Sequence, residues 1–371
     1  MSIQVFCATA KNKTKIRISM YLTTVLCVIT FVLLSKANGQ ADDCDNDLSE
    51  CKELQFCPDI TSHLATIKLD SLRFCNKPMG IVCCPRPETI VDIRLGDTEI
   101  TTSAEKACFE YQKLAPRYCP QALIYGGEKA APKEFQSIAL VGAKDKSNGK
   151  VNWYCGGTLI SRRFVVTAAH CFRRNINFVR LGELDHSTTG DATQTQNFDV
   201  RNAVVHPTHN LERYNDIALI ELDHDVIFNE YVLPACLPPK DTEYKSFTAV
   251  GWGETENKTS SSHLLKVHLN LFDGDECAAS VTAQEELEMG IRKRTQICAG
   301  SHQSGYDTCN GDSGGPLYVP HPSYPCMLLL SAVTSFGYVN CGTAGIPSIN
   351  TKVNLYLDWI ENVVWNSTTS L

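Results

Sequence analysis

The sequence lacks an apolar run long enough to cross a bilayer. Its apolar stretch from Met20 to Leu34 holds 15 residues, where a spanning helix needs about 20. A stable membrane anchor is therefore not expected. Strong charge is missing as well. The formal net charge of −7 over 371 residues gives no reason to expect a nucleic-acid partner. No internal repeat is evident, and no Cys-x2-Cys pair is present, which counts against a zinc site.

Cysteine, by contrast, is plentiful. Eighteen cysteines are far more than a reducing cytosol favours, so a disulfide-bonded, secreted, extracellular protein is inferred. The N-terminus agrees. Lys11, Lys13, Lys15 and Arg17 precede the apolar run, and Ala37-Asn38-Gly39 supplies a small-x-small cleavage site before Gln40. Residues 1–39 are read as a signal peptide, with Met20 as an alternative start. Cys7 and Cys27 leave with it, and the sixteen cysteines that remain can all pair.

The mature chain divides by texture. Residues 40–85 carry Cys44, Cys51, Cys57, Cys75, Cys83 and Cys84 within 41 positions, the density of a small module held by bridges rather than by a core. Six cysteines allow fifteen pairings, and spacing does not choose among them. Residues 86–123 read as a polar, mostly irregular connector with Cys108, Cys119 and a short helix around 105–114. From Ile124 to the C-terminus, short β-rich runs at 138–141, 164–167, 217–222 and 328–334 alternate with Gly, Asn and Pro. That pattern predicts an all-β barrel or sandwich. Tyr356, Ile360 and Val363 or Val364 recur at helical spacing, predicting an amphipathic helix over 354–364.

The chemistry centres on Cys309-Asn-Gly-Asp-Ser-Gly-Gly-Pro-Leu317. A serine becomes a nucleophile only when a base removes its proton and donors stabilise the oxyanion. Glycines at 311, 314 and 315 leave the backbone uncovered around Ser313. The run also fits the Gly-x-Ser-x-Gly elbow of α/β-hydrolases, whose triad runs Ser, acid, His. After Ser313 only His321 and 58 residues remain, too little for the rest of such a sheet. Upstream, Val165-Val166-Thr167-Ala168-Ala169-His170-Cys171 ends an apolar run in a histidine, and Asp216 opens the apolar run Ile217-Ala218-Leu219. Taken singly, each is an ordinary core or turn residue. In the order His170, Asp216, Ser313 they form a candidate triad.

These motifs, with Ile124-Tyr125-Gly126-Gly127, resemble the chymotrypsin/trypsin family of serine endopeptidases over residues 124–365. The resemblance implies two six-stranded antiparallel β-barrels with the triad in the cleft between them. Ser313 is then the nucleophile, His170 the base, Asp216 the group that orients it, and the amides of Gly311 and Ser313 the oxyanion hole. It also places Asp307 at the floor of the specificity pocket, where a buried carboxylate calls for an Arg or Lys side chain of the substrate. Ser335-Phe336-Gly337 matches the segment that pairs with the substrate backbone, Gly337 leaving the pocket entrance open. One stretch departs from trypsins: Ser348 stands where they usually carry Gly, and Asn350 where they usually carry Tyr. The added hydroxymethyl group should narrow the pocket and leaves the balance of Arg over Lys open.

By the same resemblance, a cut before Ile124 frees an ammonium that turns inward to Asp312 and orders the pocket. The residue before that cut is Leu123, not Arg or Lys, so the activator should prefer a large aliphatic residue, and the enzyme should not activate itself. The six-cysteine module, the connector and the Leu-Ile cut together resemble the clip-domain proteases of arthropods, in their Snake-like subgroup. This implies a clip domain at 40–85, a linker at 86–123 and a protease domain at 124–371. Implied bridges are Cys44–Cys83, Cys51–Cys75 and Cys57–Cys84 in the clip domain, and Cys155–Cys171, Cys277–Cys298 and Cys309–Cys341 in the protease. Cys108–Cys236 would keep the two chains joined. Cys119 and Cys326 are left as partners, closing the count at eight bonds.

The implied role is an extracellular immune or developmental cascade in a haemolymph-like fluid. Its partners are an upstream protease preferring Leu, a downstream zymogen and a serpin-type inhibitor. A digestive endopeptidase and a non-catalytic clip-domain adaptor are the rival functions. Asn257 and Asn366 head N-glycosylation sequons. No cofactor is required. Glu183, Asp185 and Asp191 lie in a loop that holds calcium in some relatives, with a merely solvated acidic loop as the rival reading.

Overall fold

The computed structural model describes residues 49–53, 74–76, 81–85, 102–115 and 128–366. Within the last range, 189–193, 210–212, 256–258, 281–286, 288–289, 305–306 and 338–342 are excepted. The chain forms two compact units, Met1–Glu99 and Ile100–Leu371. The first contains an antiparallel sheet ordered β1-β3-β2, formed by β1 (Ser49–Glu53), β2 (Phe74–Asn76) and β3 (Ile81–Pro85). Its register sets Cys51 opposite Cys83 and Glu50 opposite Cys84.

The second unit is built on two closed six-stranded antiparallel barrels. The first barrel joins β5 (Ile138–Lys144), β6 (Val151–Leu159), β7 (Phe164–Thr167), β8 (Phe178–Leu181), β9 (Gln196–Val205) and β10 (Ala218–Leu222) in the order β10-β7-β6-β5-β8-β9. The second runs β11-β14-β15-β16-β13-β12 and closes through the β11–β12 pairing. Its strands are β11 (Ser246–Gly251), β12 (Leu265–Leu271), β13 (Gln296–Gly300), β14 (Pro316–Pro320), β15 (Leu328–Phe336) and β16 (Ser348–Lys352). The two-residue β4 (Glu128–Lys129) pairs with Leu265 and Lys266 at the edge of β12. The β-rich runs of the sequence thus become β5, β7, β10 and β15, because their Val, Ile and Leu side chains fill the barrel interiors. Val165, Val166, Leu219, Ile220 and Leu330 are fully buried.

Among the described residues three helices flank the barrels: α1 (Ser103–Gln112), α2 (Gly274–Ser280) and α3 (Leu357–Val364). The helix expected over 354–364 starts instead as a 3-10 turn, Asn354–Tyr356. Asn354 spends its side-chain amide on the carbonyls of Lys240 and Thr242, which ties the first turn down before the α-helix begins. In α1, Thr102 and Glu105 form a reciprocal capping box that fixes the helix start two residues earlier than expected. Among the described residues no helix is long and apolar enough to cross a membrane.

Candidate active site

β7 carries the chain to Thr167, and a 3-10 turn over Ala169–Arg173 then presents His170. The disulfide Cys155–Cys171 pins that turn to β6. Asp216 sits two residues before Ala218, the fully buried start of β10, and its approach is shaped by Asn215, which has φ of 52°. Asparagine tolerates this left-handed geometry. The side chain of Asn215 is held from both sides, donating to the Thr208 carbonyl and accepting from the Tyr356 hydroxyl.

This placement brings Asp216 against His170 twice. The backbone N–H of His170 donates to Oδ1 at 2.8 Å, and its Nδ1 lies 2.7 Å from Oδ2. The Ser335 hydroxyl donates to the same Oδ2. Burial alone would push the Asp216 carboxyl up. The His170 ring and amide and the Ser335 hydroxyl outweigh it and hold the group below its ordinary value. An ionised carboxylate only accepts, so Nδ1 carries the proton in the neutral ring and Nε2 is left as the base.

The loop that bears Ser313 lies tight against the first barrel. The Ser313 carbonyl accepts from the Gly156 amide at 2.8 Å. Gly314 has φ of +77°, and a Cβ there would lie 2.2 Å from Thr167 Oγ1 and 3.0 Å from the Ala168 nitrogen. Only glycine lets the loop come so close to the segment bearing His170. The amides of Asp312, Gly314 and Gly315 are spent on the carbonyls of Cys309, Thr334 and Asp312. Among the described residues no acceptor takes the amides of Gly311 and Ser313, the two expected to hold an oxyanion.

Asp312 points the other way. Its carboxylate accepts from the amides of Gly253 and Cys309 at 2.8 and 2.9 Å. A Cβ on Gly251 or Gly253 would meet it at 2.1 or 2.3 Å. Burial pushes this carboxyl up to about 6 against the pull of the two amides. Nothing in the sequence reading singled out Gly251 or Gly253; the Gly-Trp-Gly spacing was the available signal.

The specificity slot is expected to form from Asp307, Gly337 and Ser348. Asp307 is half-buried and accepts from the Thr308 amide. A Cβ on Gly337 would lie 3.8 Å from the Thr308 carbonyl and 3.9 Å from Ser348 Cβ, so these residues face one another across a narrow gap. The Ser348 hydroxyl turns away to the Ala299 carbonyl at 3.0 Å, and Asn350 donates to the Ser348 carbonyl. The oxygen of the Ser348 hydroxymethyl group is therefore engaged by β13. Ser335, expected in the segment that pairs with the substrate backbone, places its hydroxyl on Asp216.

Residues 124–360 match the family model described as Trypsin. The chain is 36% identical over 261 residues to phenoloxidase-activating factor 1 of Holotrichia diomphalia, covering 64% of this chain and 69% of that protein. It is 34% identical to CLIP domain-containing serine protease B10 of Anopheles gambiae, over 90% and 97% of the two chains. Serine protease snk of Drosophila melanogaster is 33% identical over 77% and 68%. The chain belongs to the clip-domain serine proteases of the trypsin family.

In this clip-domain protease the disulfides Cys108–Cys236, Cys155–Cys171 and Cys277–Cys298 are formed. Cys309 and Cys326 are also bridged, to cysteines outside the described residues. Of the cysteines expected to pair in the clip domain, Cys44 and Cys57 fall outside them, and Cys51, Cys75, Cys83 and Cys84 are described by backbone alone; Cys119 and Cys341 fall outside too, as do Leu123, Ile124 and Asn257. Asn366 is exposed beyond α3. In the loop expected to hold calcium, Glu183 is buried, paired with Arg180 at 3.1 Å and bonded to the Leu184 amide. Asp185 accepts from the amide and hydroxyl of Ser187, with its carboxyl drawn down to about 2 by those bonds. Asp191 is outside the described residues. Two groups, Cys108-Cys236-His321 and Cys155-His170-Cys171, bring metal-ligand atoms together, but the cysteines in both are spent in disulfides.

Proposed function

We propose that this protease is a secreted zymogen, activated by a cut after Leu123, that then cleaves a downstream zymogen after Arg or Lys in an extracellular cascade. The observation that carries the reading is the sealed Asp216–His170–Ser335 contact beside Ser313 and its two uncommitted amides. Ser313 Oγ attacks the scissile carbonyl while His170 Nε2 takes its proton. Asp216 stabilises the imidazolium, and the amides of Gly311 and Ser313 receive the oxyanion. His170 returns the proton to the leaving amine, and water repeats the cycle on the acyl-enzyme. Asp307 at the slot supplies the charge for a basic side chain.

Asp312 is the switch in this account. In a chain with no amine beside it, a crowded carboxylate at this place is costly; the ammonium freed at Ile124 would neutralise it and fix the loop that bears Ser313. Leu123 assigns activation to a protease of different specificity, and the name of phenoloxidase-activating factor 1 accords with a step that activates another protein. A serpin-type inhibitor would complete the circuit. Trypsin is expected to leave the native chain uncut at 123–124 and to cut the Leu123→Arg variant there; N-terminal sequencing reads the outcome. After removal of the trypsin, cleavage of arginyl but not phenylalanyl or leucyl peptides supports the reading. A preference for aromatic or aliphatic residues overturns it.

A further inference from the structure

A buried ion pair, Lys266 with Glu134, takes no part in the chemistry above. Lys266 of β12 donates from Nζ to Glu134 Oε1 at 2.6 Å, and the two side chains are 5% and 7% exposed. The other carboxylate oxygen of Glu134 accepts from the Ala131 amide at 2.8 Å. Glu134 thus closes its own turn over residues 131–134 and fastens that turn to β12. A pair taken this far out of water is weak evidence for stability, because desolvation offsets the attraction. Separating the partners is costly all the same, so the pair selects arrangements that keep them together.

What it fastens is the segment that follows Ile124. β4 begins four residues after Ile124, and its Glu128 and Lys129 are both exposed, so no buried face sets its register on β12. Ala130 beside it buries only a methyl group. Lys266 supplies the missing restraint: it stands opposite Glu128 in the ladder and holds Glu134 beyond the turn. The same level of the sheet leads to Asp312. Leu265 pairs with Lys129 on one side and with Gly251 on the other, and a Cβ on Gly251 would collide with the Asp312 carboxylate. A slip of β4 by one residue, about 3.3 Å, would shift the start of the freed chain by nearly the full reach of an ion pair, about 4 Å. Fraying of β4 would add conformational entropy to the cost of bringing the ammonium to Asp312.

We propose that Lys266 and Glu134 are positioning residues for activation, their pair fixing β4 so that the ammonium freed at Ile124 reaches Asp312. The inference rests on the zymogen reading above and adds to it the contact that holds the new end in register.

The test uses the full chain carrying Leu123→Arg, with and without the double substitution Glu134→Gln and Lys266→Met, cut with immobilised trypsin that is then removed. The double change removes both buried charges together and leaves an oxygen for the Ala131 amide, so the variant should melt near the parent temperature. Two quantities are measured on the cut chains well below melting. One is kcat/KM on an arginyl peptide; the other is the rate at which cyanate carbamylates the Ile124 amine, followed by mass spectrometry of the N-terminal peptide. The double variant should lose kcat/KM and gain carbamylation rate, each by at least about fivefold, the low end of coupling between two sites. Should it fail to fold, Glu134→Gln alone carries the same comparison. A folded variant that keeps the parent's carbamylation rate overturns the inference alone, since a merely structural pair would move only the melting temperature. A parent chain that gains no activity on cutting overturns the zymogen reading and the inference with it.

Discussion

Ser335 shares Asp216 with His170, and its hydroxyl is one of the donors that keep that carboxylate ionised in a buried site. Ser335→Ala should lower kcat between about 10- and 100-fold, the worth of a hydrogen bond to a charged group, with little change in KM. Asp216→Asn should cost about 10⁴-fold in kcat, because the ring would lose its proper tautomer; steady-state kinetics on one arginyl peptide measures both. Asp312 yields a prediction about pH. Its carboxyl, pushed up to about 6, binds a proton more readily in the folded chain than in the unfolded one. The resulting stabilisation is complete below the ordinary carboxylate pKa and is lost as pH rises through about 6. Asp312→Asn should thus raise the melting temperature of the uncut chain at about pH 8, change it little at about pH 4, and leave the cut chain inactive. His170 and Asp216 were legible because each abuts an apolar run, and Ser313 because it lies in a glycine-rich motif. The hydroxyl of Ser335 and the Gly251 and Gly253 cradle were not, since their partners come from distant strands that no local pattern marks.

At the scale of elements, α1 belongs to the protease body although it lies before the activation site. Cys108 is bridged to Cys236, Tyr111 meets Phe228 edge-on at 5.6 Å, and the Ala104 amide donates to Glu361 on α3 at 2.8 Å. Tyr111 is 9% exposed, and burial pushes its hydroxyl up to about 12. Tyr111→Ala should therefore cost about 3 kcal/mol of stability while peptide kcat/KM holds, as read by thermal melting beside the kinetic assay. The sequence pattern places a helix here two residues late, because apolar periodicity in a polar connector is weak; the Thr102–Glu105 box marks the actual start. In α3 the period was plain, but the grip of Asn354 on the carbonyls of Lys240 and Thr242 was a tertiary contact outside its reach.

For the whole molecule, the barrels were foreseeable from alternating β-rich runs and turn residues, whereas β4 was not: its two residues owe their pairing to the edge of β12. The cut after Leu123 would leave a light chain tied to the protease body by Cys108–Cys236 and by the expected Cys119–Cys326. The activated protein should migrate as one species without reductant and as two with it, while the double variant Cys108→Ser, Cys119→Ser should give two under both denaturing conditions on a gel. The central claim joins that cut to Ser313. Its most direct test is kcat/KM on an arginyl peptide for the Leu123→Arg chain and its Ser313→Ala counterpart, before and after cleavage between residues 123 and 124. The account predicts activity only in the cut chain that retains Ser313. Full activity in the uncut chain, or activity surviving Ser313→Ala, would contradict it.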